Sequence, residues 1–377
     1  MPTEGENKAS FRRYLEEAWN QSNLKIVDEI FDRYVSHQPD GSVLERGPED
    51  VKRFVSEFRS AFPDLRLIVE EQIAEGDKVV SRGTIRGTHH REFRGMAPTG
   101  EEMKIPGMAV FRFSSEGKVV ESWDSYDQLS LMRQSIEQEL RVARSIQQAL
   151  LPQGLPQLDG WQITPYYQPA REVGGDFYDF FELEDGRLGV VEGDATGKGM
   201  PAALVASAIC SMLRAVAQAL GSSSPGEVLS RVNETLLARI PANMFVTCFY
   251  AILEPESGRF LYANAGHDPP YLRRDGEAED LRARGMPLGL MPGMGYEEKE
   301  TILEAGEVAL FYSDGLVEAH DPKGEMFGFP RLRALVAEHG EGKPLVDFLM
   351  DELRSFTGDG WEQEDDITLM TLQRSAQ

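Results

Sequence analysis

The sequence predicts an α+β chain in three parts, because its apolar periodicity changes twice and its acidic residues gather where strands end. Helical periodicity dominates the start of residues 11–127 and gives way to a period of two after Pro63. A helical stretch without breakers follows, and from Trp161 onward apolar strands alternate with acidic turns and two long helices.

In the first part, FRRYLEEAWNQSNLKIVDEIF and PEDVKRFVSEFRSAF read as amphipathic helices separated by a turn rich in Pro and Gly. LRLIVEEQIAEG, DKVVSRGTIRGTHH, MKIPGMAVFRFSSEG and KVVESWDSYDQ then alternate as strands, with a hairpin turn at residues 114–118. Helices first and a sheet after define one α+β domain over residues 8–128. Residues 129–152 form the linker, where Leu129, Met132, Ile136, Leu140, Ala143, Ile146 and Leu150 recur every three or four positions and no breaker comes before Pro152. A coiled coil that makes the chain a homodimer fits this stripe, and so does a helix packed on its own domain. The third part, residues 155–374, carries one helix from Met200 to about Leu220 and another over PGEVLSRVNETLLARI. FVTCFYAILEPESGRFLYANAGH reads as strand, turn, strand, so the sheets there are expected to be antiparallel.

Composition narrows the function. A net charge of -24 over 377 residues sets the chain against phosphate backbones and anionic lipid, so neither nucleic acid nor membrane is an expected partner. The N-terminal stretch lacks the cationic-then-apolar pattern of a secretory signal. The apolar run of residues 201–213 is shorter than the roughly 20 residues a bilayer requires. Cys210 and Cys248 both lie in apolar stretches, as buried free thiols of a reducing compartment do, and a cytoplasmic location is expected.

The acids of the third part carry the chemistry. Asp194 follows RLGVVEG, Asp314 follows EVALFYS, Asp365 and Asp366 precede ITLMTL, and Asp176 sits in the Gly-Gly-Asp turn of REVGGDFYDFF. In an antiparallel sheet, strand ends and neighbouring strand starts share an edge, so these carboxylates can meet. Converging carboxylates must bind protons or be neutralised by a cation. Oxygen ligands without His or Cys suit Mn²⁺ or Mg²⁺, and two such ions can hold a hydroxide for attack on phosphorus. Lys198 in DATGKG makes no nucleotide loop, since the required earlier glycine and the Ser or Thr after the lysine are missing.

VGGDFYDFF, GDATGKGMPAAL, NAGHDPP, YSDGLVEA and EDDITLM resemble, in order and spacing, the signature blocks of the SpoIIE/RsbU-type phosphatases, members of the metal-dependent serine/threonine (PPM) family. The resemblance covers residues 140–374. It implies an α/β/β/α sandwich of two antiparallel sheets holding a metal pair at one edge. It further implies that Asp176, Asp194, Asp314 and Asp365 are catalytic metal ligands, with Asp194 bridging, the Ala195 carbonyl as a further ligand, and Asp366 as the alternative to Asp365. Arg171 falls where more distant relatives place a phosphate-gripping arginine, and a solvent-facing loop arginine fits equally. His267 is a candidate general acid for the departing serine oxygen or a residue that closes a hairpin. The implied substrate is a phosphorylated protein, a STAS-type anti-sigma-factor antagonist in a partner-switching pathway.

HQPDG, FPDLRL and VESWDSYDQ, with the order of elements, make residues 8–130 similar to the SnoaL-like or ketosteroid-isomerase-like cone. That resemblance implies an apolar pocket, for which His37, His89, Asp124 and Tyr126 are candidate lining residues and a small apolar molecule the candidate ligand. Sensing by this domain, passed through ELRVARSIQQALLPQ to the phosphatase, is the expected arrangement. The alternatives are a cyclase or isomerase in the N-terminal part and a scaffold that has lost activity.

Overall fold

The structure is a computed structural model and describes residues 2–375, apart from residues 39, 184–185, 222–223, 242 and 341–342 and the side chains of residues 128–135. The chain divides into two compact units, Met1–Glu139 and Leu140–Gln377.

The first unit opens with α1 (Glu4–Tyr14), a π-helical turn (Leu15–Asn20) and α2 (Lys25–Ile30). The single helix expected over residues 11–31 is therefore broken. Asn20 ends it by gripping the backbone of Leu67 at both Leu67 N (2.7 Å) and Leu67 O (3.0 Å), and Ser22 turns the chain at φ 61°. The sequence then extends as β1 (Phe31–His37) and β2 (Val43–Arg46), neither of which periodicity had separated from its surroundings. After α3 (Pro48–Ala61) come β3 (Arg66–Glu75), β4 (Lys78–Thr88), β5 (Glu102–Phe113) and β6 (Val119–Tyr126). The sheet order is β2-β1-β6-β5-β4-β3, antiparallel except for the β1–β6 pair. Aromatic side chains of the helices and the sheet, among them Phe11, Trp19, Phe58 and Phe111, meet in the core beneath.

Helix α4 spans Gln128–Leu150. The second unit continues with β7 (Trp161–Gln168), β8 (Asp176–Glu182), β9 (Leu188–Ala195), α5 (Met200–Ala219) and α6 (Pro225–Leu237). Then follow β10 (Val246–Leu253), β11 (Arg259–Ala265), β12 (Tyr271–Arg274), β13 (Glu277–Asp280), β14 (Glu298–Ile302) and β15 (Val308–Tyr312). The short α7 (Asp314–Val317), α8 (Phe329–Glu338), α9 (Leu345–Thr357) and β16 (Ile367–Arg374) complete it. Two antiparallel five-stranded sheets form, β14-β11-β10-β9-β8 and β13-β12-β15-β16-β7. Helices α5 and α6 cover the first, and α8 and α9 the second. Strands that are apolar on both faces are what a sheet buried between a helix layer and another sheet demands. The burial of every residue in β15 answers that demand.

Helix α5 corrects one sequence expectation: by length and composition, Met200–Ala219 is apolar enough to cross a bilayer. Here Ala202, Ala206, Ile209, Leu213 and Ala217 bury its apolar face in the core shared with β9 and α6. Cys210 and Cys248 are free and buried.

A carboxylate cluster where the two sheets meet

The order of strands brings the aspartates together. Asp176 begins β8 and Asp194 lies near the end of β9, and the antiparallel register sets them directly opposite each other. In the other sheet Asp314 follows β15 and Asp365 precedes β16, which pairs with β15. The two edges are tied by Thr368, whose hydroxyl donates to Asp176 Oδ2 at 2.6 Å.

Two glycines show how closely the backbones approach. A Cβ on Gly175 would stand 2.8 Å from Asp194 Oδ1 and 2.7 Å from the Ala195 carbonyl oxygen, so the two proposed oxygen ligands of this strand share the space over Gly175. A Cβ on Gly315 would stand 2.1 Å from the Asp366 carbonyl oxygen, which places the chain after Asp314 hard against residues 365–366.

Asp366 does different work from Asp365. Its Oδ1 accepts from Ala170 N (2.8 Å), and its Oδ2 accepts from Gly175 N (2.6 Å) and Asp176 N (3.4 Å). Both oxygens are thus committed to folding the turn that presents Asp176. Asp365 instead meets Lys198 Nζ at 2.7 Å. Gln147 of α4, also buried, holds the same turn from the other side: its Nε2 donates to Gly174 O (2.7 Å) and its Oε1 accepts from Gly174 N (3.2 Å).

The electrostatics are those of an unneutralised cluster. Burial, then the charges of Asp194 and Asp366, push Asp176 well above the usual carboxylate range. Burial and Asp314 raise Asp194, and burial and Asp365 lift Asp314 to about 6. Asp366 is raised by burial against the pull of its three backbone donors. An oxygen-only set whose members resist ionising together fits a divalent hard cation in kind. Among the described residues, however, no three His, Cys, Asp or Glu side chains stand at chelating distance.

Other predicted residues fall outside this cluster. His267 turns both ring nitrogens inward, Nδ1 to the Thr247 hydroxyl (2.9 Å) and Nε2 towards Glu192 (3.5 Å). Asn264 clamps its backbone on both sides, so the hairpin-closing role fits, and the buried ring faces Thr247 and Glu192. Burial alone would lower His267, but its contact with Glu192, and then the charges of Asp268 and Asp194, turn the shift upward. Glu192 itself, with no exposed surface and a raised pKa caused by burial, escaped the sequence reading. A lone acid inside the apolar run RLGVVEG was the signal available. Arg171 is exposed at the rim, its Nη1 4.0 Å from where a Cβ on Gly199 would stand.

In the first unit a cavity of about 660 Å³ is lined by aromatic side chains and by Asp124 and Tyr126. Burial raises Asp124, against one hydrogen bond from the Ser122 hydroxyl (3.1 Å). His37 and His89 do not line this cavity, which corrects their candidacy. His37 stacks on Trp123 at 4.6 Å beside Glu121, and His89 stacks on Phe62 and accepts from Thr99 N. Both rings are held by packing neighbours of their own.

Comparison with known proteins agrees with this architecture. Residues 184–375 match the family described as Stage II sporulation protein E (SpoIIE), and residues 9–135 match SnoaL-like polyketide cyclase. The chain belongs to the SpoIIE family, with a PP2C-type phosphatase domain preceded by a SnoaL-like domain. It is 33% identical over 267 residues to Protein IcfG of Synechocystis sp., covering 63% of this chain and 42% of that protein. It is 30% identical over 259 residues to phosphoserine phosphatase RsbU of Bacillus subtilis, covering 67% of this chain and 75% of that one. The SiaA-PP2C domain of Pseudomonas aeruginosa superposes with a TM-score of 0.56 at 26% identity, covering 64% of this chain and 98% of that one. The chain thus spans less than half of IcfG and three quarters of RsbU.

Proposed function

We propose that the protein is a cytoplasmic, metal-dependent phosphatase that removes phosphate from serine or threonine of a partner protein, a STAS-type anti-sigma-factor antagonist. The observation that carries this reading is the meeting of Asp176, Asp194, Asp314 and Asp365 where the two sheets join. Phosphatases of this family are metal-dependent, and the donor set suits Mn²⁺ or Mg²⁺ as a pair. Asp176, Asp194, Asp314, Asp365 and the Ala195 carbonyl would hold the ions. Asp366 would serve as the anchor of the turn rather than a ligand, because backbone donors occupy both its oxygens. Bound ions of this type supply a hydroxide nucleophile at neutral pH and neutralise charge on the phosphoryl oxygens.

The chain's own residues do the positioning. Thr368 fixes the rotamer of Asp176 through its Oδ2. Arg171, exposed at the rim, would steer and orient the phosphate with its planar guanidinium. Control would enter through α4, since Gln147 holds the Gly174 backbone two residues before Asp176. A shift of that helix alters the turn directly. Ile136, Val142, Ile146 and Leu150 leave exposed apolar side chains along α4, which supports pairing of two copies into a homodimer. The cavity around Asp124 supports binding of a small, mainly apolar ligand as the controlling signal. The same cavity, with its buried acid, favours one second reading, a cyclase or isomerase in residues 8–128.

The test is hydrolysis of p-nitrophenyl phosphate with added Mn²⁺. Asp194→Asn is expected to lower the rate by more than about 100-fold, beyond the usual cost of losing an outer-shell partner of a metal. Equal rates would remove Asp194 from the mechanism. Turnover of a polyketide-like substrate by the full chain would establish the second reading.

A further inference from the structure

The residue left over from the nucleotide-loop motif is Lys198. Its Nζ stands 2.7 Å from Asp365 Oδ2 and 2.7 Å from the Glu364 carbonyl oxygen. Two oxygens from consecutive residues therefore hold one cationic atom at the edge of the carboxylate cluster. Asp365 spends its Oδ1 on its neighbour's Asp366 N (3.0 Å), which leaves Oδ2, the oxygen facing Lys198, as the one available to another cation. The pairing takes Asp365 out of the cluster's shared space, and no three acids stand at chelating distance among the described residues.

The geometry points to Lys198 as a built-in stand-in for the cation at Asp365, a positioning residue that holds this carboxylate in the metal-free protein and must be displaced before Asp365 can bind a metal. The inference rests on the metal-phosphatase reading of the same site and adds a competitor to it. Lys198 is suited to the exchange because its ammonium ends a flexible stem and its side chain is 45% exposed, so it can swing away without unfolding its surroundings. Arg171 is close enough for Lys198 to feel its charge, and its Nη1 lies 4.0 Å from where a Cβ on the adjacent Gly199 would stand. The consequence is conditional metal binding: the fourth acid is offered only when something favours the exchange.

The experiment is a titration of the full chain with Mn²⁺, read by the loss of the free-ion electron paramagnetic resonance signal rather than by turnover. Lys198→Met is expected to bind Mn²⁺ about fivefold more tightly than wild type, a factor that corresponds to ~1 kcal/mol, the upper end for an exposed ion pair. Lys198→Arg keeps a cation on Asp365 and is expected to stay within about twofold of wild type. Arg171→Met removes a comparable charge from the rim without freeing Asp365, and it separates displacement from simple repulsion of the metal. Its expected effect is less than about twofold, as for an exposed charge acting at a distance. The inference is overturned if Lys198→Met binds Mn²⁺ no more tightly than wild type, or if Arg171→Met matches it. A wild-type chain that takes up no Mn²⁺ overturns the metal reading and this inference together, whereas binding by wild type with an unchanged Lys198→Met overturns the role of Lys198 alone.

Discussion

Each unit of the chain buries acid, and they do it in opposite ways. The first unit places one carboxylate, Asp124, on the wall of an aromatic cavity with a single hydroxyl donor beside it. The second sets Asp176 opposite Asp194 across two paired strands and brings Asp314 and Asp365 to the same edge. A lone buried acid can solve its problem by keeping its proton. A cluster cannot do so without losing its use as a ligand set, so it depends on cations, whether a metal or Lys198.

The strongest way to break this contrast is to remove one charge from the cluster. Raised acids favour the folded state when protonated. Their contribution is fully present below the unfolded carboxylate range and is lost as pH rises through the folded values. For Asp314 the upper end of that window is about 6, and Asp194 and Asp176 extend it in the same direction. Metal-free wild type is therefore expected to lose melting temperature as the pH is raised from 4 to 7. Asp194→Asn should flatten that slope and stabilise the metal-free protein at pH 7 by a few kcal/mol at most, ~2–4. Calorimetry in chelator checks it. The same substitution is expected to lower activity by more than about 100-fold, so stability and function should move apart at this residue. A variant that melts lower than wild type at pH 7 would show that the acids are already neutralised in the metal-free protein.

The second test concerns support. Asp124 is held by one neighbour, whereas the turn bearing Asp176 is gripped by Asp366 from one side and Gln147 from the other. Gln147→Ala leaves the buried Gly174 N–H and C=O without these partners, a cost of about 1–3 kcal/mol. The expected outcome is a higher Mn²⁺ requirement in the p-nitrophenyl phosphate assay, with near-normal rates at saturating metal. Unchanged metal dependence would leave α4 without a grip on the site.

How much of this was legible in the sequence differs between the units for a physical reason. The second unit's strands are apolar on both faces and end in Asp, Gly or both, so VVEGD, FYSD and DDITLM announced edge and chemistry together. Antiparallel sheets and acids able to converge follow from the residues, whereas the two-sheet sandwich is what the resemblance to the SpoIIE/RsbU-type phosphatases implies. What held the acids in place was hidden, because Gln147, Thr368 and Asp366 act through distant partners: the bond from Thr368 to Asp176 joins residues 192 positions apart. In the first unit, FDRYVSH alternates only loosely, and its burial departs from a strict period where its pairing with β6 shifts register between Phe31 and Val35. Apart from Phe31, β1 therefore falls within what reads as the turn rich in Pro and Gly between the two helices. His37 and His89 are pocket candidates only through the resemblance to the SnoaL-like cone, and in the structure their rings stack on Trp123 and Phe62.

The smallest effect is expected where the contrast began. Burial raises Asp124, and Arg46 and the Ser122 hydroxyl only partly oppose it. By the same sign rule, its contribution to stability is present at low pH and is lost as the solution passes above the ordinary carboxylate range. Asp124→Asn imitates the protonated acid in shape and in hydrogen-bonding capacity. It should therefore match wild type at pH 4 and exceed it at pH 7 by on the order of 1 kcal/mol, seen as a small rise in the melting of the first unit. Unlike Asp194→Asn, it should leave the Mn²⁺ titration untouched, since no metal reading involves this acid. If Asp124→Asn instead melts lower at pH 7, the carboxylate is ionised in its cavity and a cation on the wall is meeting its charge, Arg46 being the one whose charge it feels. The two units would then solve the burial of acid by the same means.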